Sequence, residues 1–395
     1  MNKKLNQILY LVGFFIISIY YNLVLFAEPE LNYLQDGLVF TDSIKVSPSE
    51  HFSSKSSNLY KNSLYNEVWN KPVNIRILNL NKSFSGIVSK SKGKRQKTNL
   101  KLKTKDGRTL KFKIIKSAIP PLQMPEFFRK LLQKSYIDGR FNMAFPYAQT
   151  IVASLASALD ILHEHPVLCC LPDNDKLGNF REDFALKPGY LMVYLKTGKS
   201  NSPYFSRKYE VISTSNLLTD KRGNMLKNVQ KEKLLMLRFL SILVGDWDRH
   251  NGQLKWVKLD HNNNLFPFSL DRDMAFFSMD GSPGQFLIKN YQNIERSILY
   301  QDIFSFNADF VNVRGLIYRS QDLDMHVLVG NPIDMWNKIK SKFKYLLSDN
   351  VLKKAVETIP EEVYPLIGNK ILTALKNRRD NFDVYSQRYY NYLHH

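Results

Sequence analysis

The sequence predicts an α+β protein in two parts, a basic, antiparallel, β-rich part followed by a helical one. Three observations predict it. Apolar residues alternate with polar ones in short runs across residues 71–116, the period of strands with one buried face. Beyond residue 291 the apolar residues fall instead at helical spacing. Between the two lies a segment, residues 234–244, that is apolar almost all round, with only Arg238 and Ser241 interrupting it, as in a helix buried on most faces.

The chain has 395 residues, enough for one large two-lobed domain with an ample core, and 44% of them are hydrophobic and 13% aromatic, a globular composition. Its start is different. Lys3 and Lys4 precede an apolar run at residues 8–27, which reads as an export signal peptide or, at about 20 residues, as a membrane anchor. Either reading places the rest of the chain in an exported location: periplasm, cell envelope or secretory compartment. Composition then divides the chain into this leader (1–27), an N-terminal extension rich in Ser, Asn and Tyr (28–70), a β-rich N-lobe (71–195) and a helical C-lobe (196–395).

In the β-rich part, Val73, Ile75 and Ile77 mark one strand, Ile87 and Val88 a second, Leu100 and Leu102 a third, and Leu110, Phe112 and Ile114 a fourth, with a turn at Asp106 and Gly107. From Lys82 to Lys116 there are 13 Lys or Arg residues and a single acid, Asp106, within a chain of net charge +20. Such a face holds nucleotide phosphate, a polyanion or an anionic membrane surface, although for most of these lysines a solvated face is the simpler reading. No specific nucleic acid is expected. Cys169 and Cys170 are adjacent, so a disulfide between them would be strained, and they read as buried strand residues. No zinc spacing occurs. Residues 145–162 read as an amphipathic helix; His163 and His165, before Pro166, read as caps at its end rather than as ligands. Residues 166–171 and 190–195 read as strands, the second as the hinge between lobes. The polar segment 196–228 reads as a substrate-contacting loop.

The chemistry concentrates in residues 234–277. Gly245 should stop the apolar helix, and Asp246, Asp248, Arg249, His250, Asn251 and Gln253 follow at once. Phe266, Phe268 and Leu270 then alternate as a strand, and Asp271 and Asp273 emerge from its end. Paired carboxylates of this kind bind a hard cation through oxygen. An apolar helix, an Asp-containing loop with an amide five residues on, a hairpin and a second acidic site together resemble the active centre of the kinase-like fold of the atypical type. That group includes the phosphoinositide kinases, HipA-type kinases, secretory-pathway kinases and spore-coat CotH kinases, whose loop reads roughly D-x-H-x-x-N. The Asp-x-Asp form, backed by Phe276 and Phe277, looks closer to the CotH group and to uncharacterised exported bacterial proteins with a D-W-D-R-H-x-x-Q-W-x-W stretch.

The resemblance implies a two-lobed kinase-like fold and a phosphotransferase that uses ATP or another nucleotide with Mg2+ or Mn2+. It implies roles position by position. Asp248 stands at the catalytic Asp, Gln253 at the Asn metal ligand, and Asp273 at the metal-holding Asp, with Asp271 as an additional ligand. Kinase-like folds also place a strand lysine on the nucleotide phosphates; Lys116, two places after Ile114, is the expected one, with Lys113 in reserve should the strand register slip by one. The acid that partners this lysine is left open among Asp160, Glu164 and Glu182. Arg249 and His250 brace the loop. The acceptor is an unknown protein, lipid or glycan. Three alternatives stand beside this reading: a catalytically inactive kinase-like binding module, a metal-dependent phosphoesterase built on Asp246, Asp248, His250 and Asp273, and a structural cell-envelope protein. Beyond residue 277, MDGSPGQ reads as a loop and helices follow at residues 311–318, 332–347, 351–358 and 361–393.

Overall fold

Alternation along the chain becomes sheet because one face of each strand finds a core. The computed structural model describes residues 37–50, 65–90, 99–116, 144–200, 204–205, 208–220, 222–259, 263–278, 306 and 311–394. The expected leader and the loop expected at residues 279–285 lie outside them. Twelve strands are present among these residues: β1 (Phe40–Val46), β2 (Val73–Leu78), β3 (Phe84–Lys90), β4 (Asn99–Thr104), β5 (Thr109–Ile114), β6 (Leu162–His163), β7 (Val167–Cys170), β8 (Pro188–Val193), β9 (Gly198–Ser200), β10 (Tyr209–Ser213), β11 (Leu254–Leu259) and β12 (Leu265–Ser269). The main helices are α1 (Ala148–Ala158), α2 (Lys231–Leu243), α3 (Gln321–Leu328), α4 (Ile333–Leu346), α5 (Asp349–Val356), α6 (Asn369–Asp380) and α7 (Phe382–His394).

Seven strands form one sheet in the order β1-β2-β7-β8-β5-β4-β3. Its pairs are antiparallel except β2 with β7, where Ile77 meets Cys170. The strands read from alternation are all present, and the N-terminal extension adds β1 as an edge strand against β2. On β5 the core side is Leu110, Phe112 and Ile114, all buried, so Lys111 and Lys113 share the opposite face. A second sheet, in the order β6-β12-β11-β10-β9, lies beyond the first. The polar segment expected to be a substrate loop supplies two of its strands, β9 and β10. The reason is in its own sequence, since Tyr209, Val211 and Ile212 are buried against the first sheet or the helical core.

The helical part is organised on α2, in which every residue from Leu234 to Leu243 is buried. Its two polar interruptions are satisfied. Arg238 donates to Asp324 at 2.8 Å, and Asp324 accepts from Ser320 and Tyr389 in turn; Ser241 donates to the Leu237 carbonyl. The single helix expected at residues 361–393 is instead a π-helical turn at Tyr364–Gly368, then α6 and α7. Pro365 cannot donate within a regular helix, which accounts for the widened turn. Cys169 and Cys170 are free and buried in β7, and burial pushes the Cys170 thiol up to about 12.

Gly245 ends α2 as expected. Its φ of +66° is left-handed, its N–H donates to the Ile242 carbonyl and the Asp246 N–H donates to the Ser241 carbonyl, the paired closure of a Schellman end. A Cβ there would come within 3.2 Å of the Arg378 guanidinium and 3.3 Å of the Phe306 ring. Gly245→Ala should therefore destabilise the fold by about 1–2 kcal/mol in urea unfolding; an unchanged midpoint would contradict this closure.

Candidate active site

Once α2 has stopped at Gly245, the chain delivers Asp246 into the core with no exposed side-chain surface. Two guanidiniums balance it: Arg249 Nη1 at 3.1 Å and Arg272 Nη1 at 2.9 Å, both on Oδ2. Arg249 then spreads its fork across both turns. It donates to the Asp271 carbonyl at 2.7 Å, the Leu270 carbonyl at 2.8 Å and the Gln253 carbonyl at 3.0 Å. Arg272 also reaches Ser241 on α2 and Ser269 at the end of β12. Burial, together with the nearby Arg249, lowers the Arg272 pKa to about 9. The loop after α2 and the turn after β12 are thus one bonded unit, with β11 and β12 as the hairpin between them. Arg249 braces the loop as expected. His250 does so locally, its Nδ1 accepting the Gly252 N–H at 3.0 Å.

Asp248, at the rim of this unit, is held from two sides. Gln253 Nε2 donates to its Oδ2 at 3.0 Å, and Arg319 donates to its Oδ1. Gln253 is buried, and its Oε1 has no hydrogen-bond partner among the described residues.

The second acidic site meets the first sheet. Lys113 Nζ, on β5, lies 2.5 Å from Asp271 Oδ1 and 2.8 Å from Asp273 Oδ2. Burial by itself would lower the lysine, but the two carboxylates outweigh it and hold Lys113 well above its usual value. Burial raises Asp271 too, yet the ammoniums of Lys113 and Lys111 prevail and hold it below the usual carboxylate range. Asp273 goes the other way: burial and the neighbouring Asp271 charge push it up to about 6. Asp271 sits at a left-handed φ of +47°, a strained conformation for a residue other than glycine. Three contacts keep it there: its N–H donates to Glu164 Oε2 at 2.7 Å, Arg249 holds its carbonyl, and Lys113 holds its carboxylate.

Lys113, and not the preferred Lys116, is therefore the lysine that reaches the acids. Ile114 and Ile115 are both buried, so the run offers two registers, and the alternation of Leu110, Phe112 and Ile114 selects the one that turns Lys113 to the cleft. Lys116 falls two residues past the end of β5. Of the three candidate acids, Glu164 is the one in the cleft, where its Oε1 takes Lys111 at 2.8 Å. It stands after β6 rather than on α1. His163 and His165 are not helix caps either: α1 has already ended, their rings lie 3.9 Å apart, and burial lowers them to about 3 and about 4, so both are neutral.

The structure thus brings together Asp248 with Gln253, and Asp271 with Asp273 and Lys113, while Lys116 stays outside the acid pair. Sequence reasoning missed Lys111, although it shares strand parity with Lys113, and Arg319, which no local signal marks. Among the described residues no three His, Cys, Asp or Glu side chains are grouped as metal ligands, and the Lys113 ammonium lies between the two acids. The donors still fit a hard cation in kind. Gln253 Oε1 is a buried amide oxygen without a partner, and Asp248, Asp271 and Asp273 offer carboxylate oxygens.

Comparison with known proteins extends only to fold. No family model matches the chain, and no curated protein matches it. Among solved structures, it is similar to the Helicobacter pylori proinflammatory kinase CtkA, with TM-score 0.37 and 10% identity over 74% of this chain and 94% of that one. It is also similar to a chain of the Shewanella oneidensis MR-1 complex of HipA, HipB and operator DNA, with TM-score 0.37 and 10% identity over 91% and 75%. A third is the Golgi casein kinase with Mn/ADP bound, with TM-score 0.35 and 13% identity over 76% and 74%. The structure itself is an α+β protein, with a basic, β-rich N-terminal part and a helical C-terminal part. Likenesses this distant transfer no residue role.

Arg249→Met should destabilise the protein by about 3–5 kcal/mol in urea unfolding, because it removes one of the two guanidiniums on the buried Asp246 and a donor from each of three carbonyls. Arg249→Lys should recover only a minor part, since an ammonium lacks the fork that spans both turns. Equal stability of the two variants would sink the brace.

Proposed function

We propose that this chain is a kinase-like phosphotransferase that moves the terminal phosphoryl group of a nucleotide to an acceptor hydroxyl, with Mg2+ or Mn2+. One observation carries the proposal: Lys113 from the β-rich lobe closes on Asp271 and Asp273, in a turn that Arg249 fastens to the Asp248 loop. Phosphoryl transfer asks a protein mainly for such positioning and for charge neutralisation.

In this reading Asp248 receives the proton. The acceptor oxygen attacks the terminal phosphorus, the bond from that phosphorus to its bridging oxygen breaks, and the nucleoside diphosphate leaves with the electron pair. The hydroxyl proton passes to a carboxylate oxygen of Asp248, which Gln253 keeps oriented through Nε2. Gln253 Oε1, Asp273 and Asp271 are the groups that would hold the cation, which neutralises phosphate charge when bound. Lys113 either moves to the phosphates or shares the acids. Arg319 must release one oxygen of Asp248 before a hydroxyl can approach. We also propose export, on the strength of the apolar run at residues 8–27; no helix among the described residues is long and apolar enough to cross a membrane.

A second reading is favoured by the same two contacts. With Arg319 on Asp248 and Lys113 between the acids, the carboxylates of the site are already paired, as they would be in a catalytically silent binding module.

Transfer assays with several nucleotides separate the two. The wild type should show Mn2+-dependent turnover, and Asp248→Asn should lower kcat by about 10²–10⁴-fold while nucleotide still raises its Tm. Nucleotide-dependent stabilisation without turnover at any nucleotide would select the silent module. Stabilisation by Mn2+ should shrink as pH falls through about 6, because Asp273 takes up a proton there and an uncharged carboxyl binds the cation poorly. A flat pH response would remove Asp273 from the ligand set.

A further inference from the structure

Beside the acids, three further lysines converge on one aromatic ring. Lys101 on β4 and Lys111 on β5 are register partners in the first sheet, and Lys255 comes from β11 in the second. Lys101 and Lys255 lie at Tyr194, just past the end of β8, and Lys111 stands beside Lys101, where its charge acts on the same phenol. Lys101 Nζ is 2.9 Å from the Tyr194 hydroxyl and 4.0 Å from its ring centroid, while Lys255 Nζ is 5.6 Å from the same centroid and donates to the Leu195 carbonyl. Lys111 is taken up by Glu164. Glu164 acts on Lys255, and it already serves Lys111 and the Asp271 N–H.

Lys101 has the Tyr194 phenol, Lys111 has Glu164 and acts on Asp271, and Lys101 and Lys111 repel Lys255 while burial disfavours its charge. The phenol responds to the same field: burial would raise Tyr194, but Lys101, Lys255 and Lys111 hold it below its usual value. Cations held close together on rigid strands and half-buried are a preformed complement to a multiply charged anion. Lysine ammoniums are compact point charges suited to phosphate oxygens. The cluster also has a direction. Lys111 and Lys113 stand two residues apart on one face of β5, about 7 Å along the strand, so the row runs from Tyr194 to the acid pair.

We propose that Lys101, Lys255 and Lys111, gathered around Tyr194, form an anion-binding subsite for a linear oligophosphate, laid along β5 toward Lys113. The subsite does not depend on phosphoryl transfer, and the same chain of phosphates is presented by a nucleoside triphosphate or by inorganic polyphosphate.

Isothermal titration of the full chain with inorganic tripolyphosphate in low salt tests this. The wild type should bind, with affinity that falls steeply as salt rises. The double variant Lys101→Ala, Lys255→Ala should lose about tenfold or more, equivalent to about 1.4 kcal/mol. Lys101→Arg with Lys255→Arg should retain binding, and Lys353→Ala with Lys354→Ala on α5 should match the wild type, which separates the subsite from general basic charge. Competition by ATP, without competition by adenosine, assigns the phosphate chain to a nucleotide; tripolyphosphate binding that ATP does not displace assigns it to the inorganic polymer. Undetectable binding by the wild type, or equal binding by the double alanine variant, overturns the subsite. Loss of transfer in Asp248→Asn with tripolyphosphate binding intact would leave it standing whatever the outcome for catalysis.

Discussion

The ammonium of Lys113 between Asp271 and Asp273 is the contact on which the two halves of the molecule depend. Both carboxylates are partly desolvated and lie close to each other, an arrangement that is unfavourable unless a cation is held between them. The β-rich lobe supplies that cation from β5. Removal of the lysine would leave two like charges facing one another at the lobe boundary. The same geometry explains why Asp271 tolerates a left-handed backbone, since its N–H, carbonyl and carboxylate are each held by a different element.

Around that contact the polar groups are arranged in depth. Asp246 and its two arginines are fully enclosed and serve to weld the loop after α2 to the turn after β12. Asp248, Asp271 and Asp273 stand at the surface of this welded block, where a ligand can reach them, with Gln253 buried behind Asp248. Lys101, Lys111 and Lys255 extend the positive side of the cleft beyond the acids. A buried brace, an accessible set of oxygens and a row of ammoniums are three functions carried by separate residues. The rigidity comes from the arginines, so the accessible groups keep their freedom to exchange partners.

Much of the fold was legible because burial has a period. Strands β2, β4 and β5 bury one face and α2 buries all of its faces, and both patterns are written in the spacing of apolar residues. The two acidic turns were legible for a related reason, since polar residues that follow directly on a buried element have few places to go. What was not legible required partners distant in sequence. Arg319 reaches Asp248 across 71 positions, and nothing near Arg319 distinguishes it from other surface arginines. Lys113 was misplaced in favour of Lys116 because Ile114 and Ile115 are both apolar, so a local rule counted from the wrong one. Strands β9 and β10 were concealed by their polar surroundings, although the YEVIS run carries the signal. The widened turn at the start of the last helical stretch was marked by Pro365 and could have been read from it.

A double-mutant cycle between Lys113→Met and Asp273→Asn, followed by urea unfolding at pH 7.5, tests the central contact most directly. Each carboxylate keeps roughly a third of its surface in solvent, so screening limits the expected coupling to about 1–3 kcal/mol. Coupling of that size, with the double variant more stable than the sum of the single losses predicts, is the result expected of a lysine that bridges the lobes. Losses that add to within about 0.5 kcal/mol would mean that Lys113 and Asp273 do not meet, and the cleft described here would have no cation at its centre.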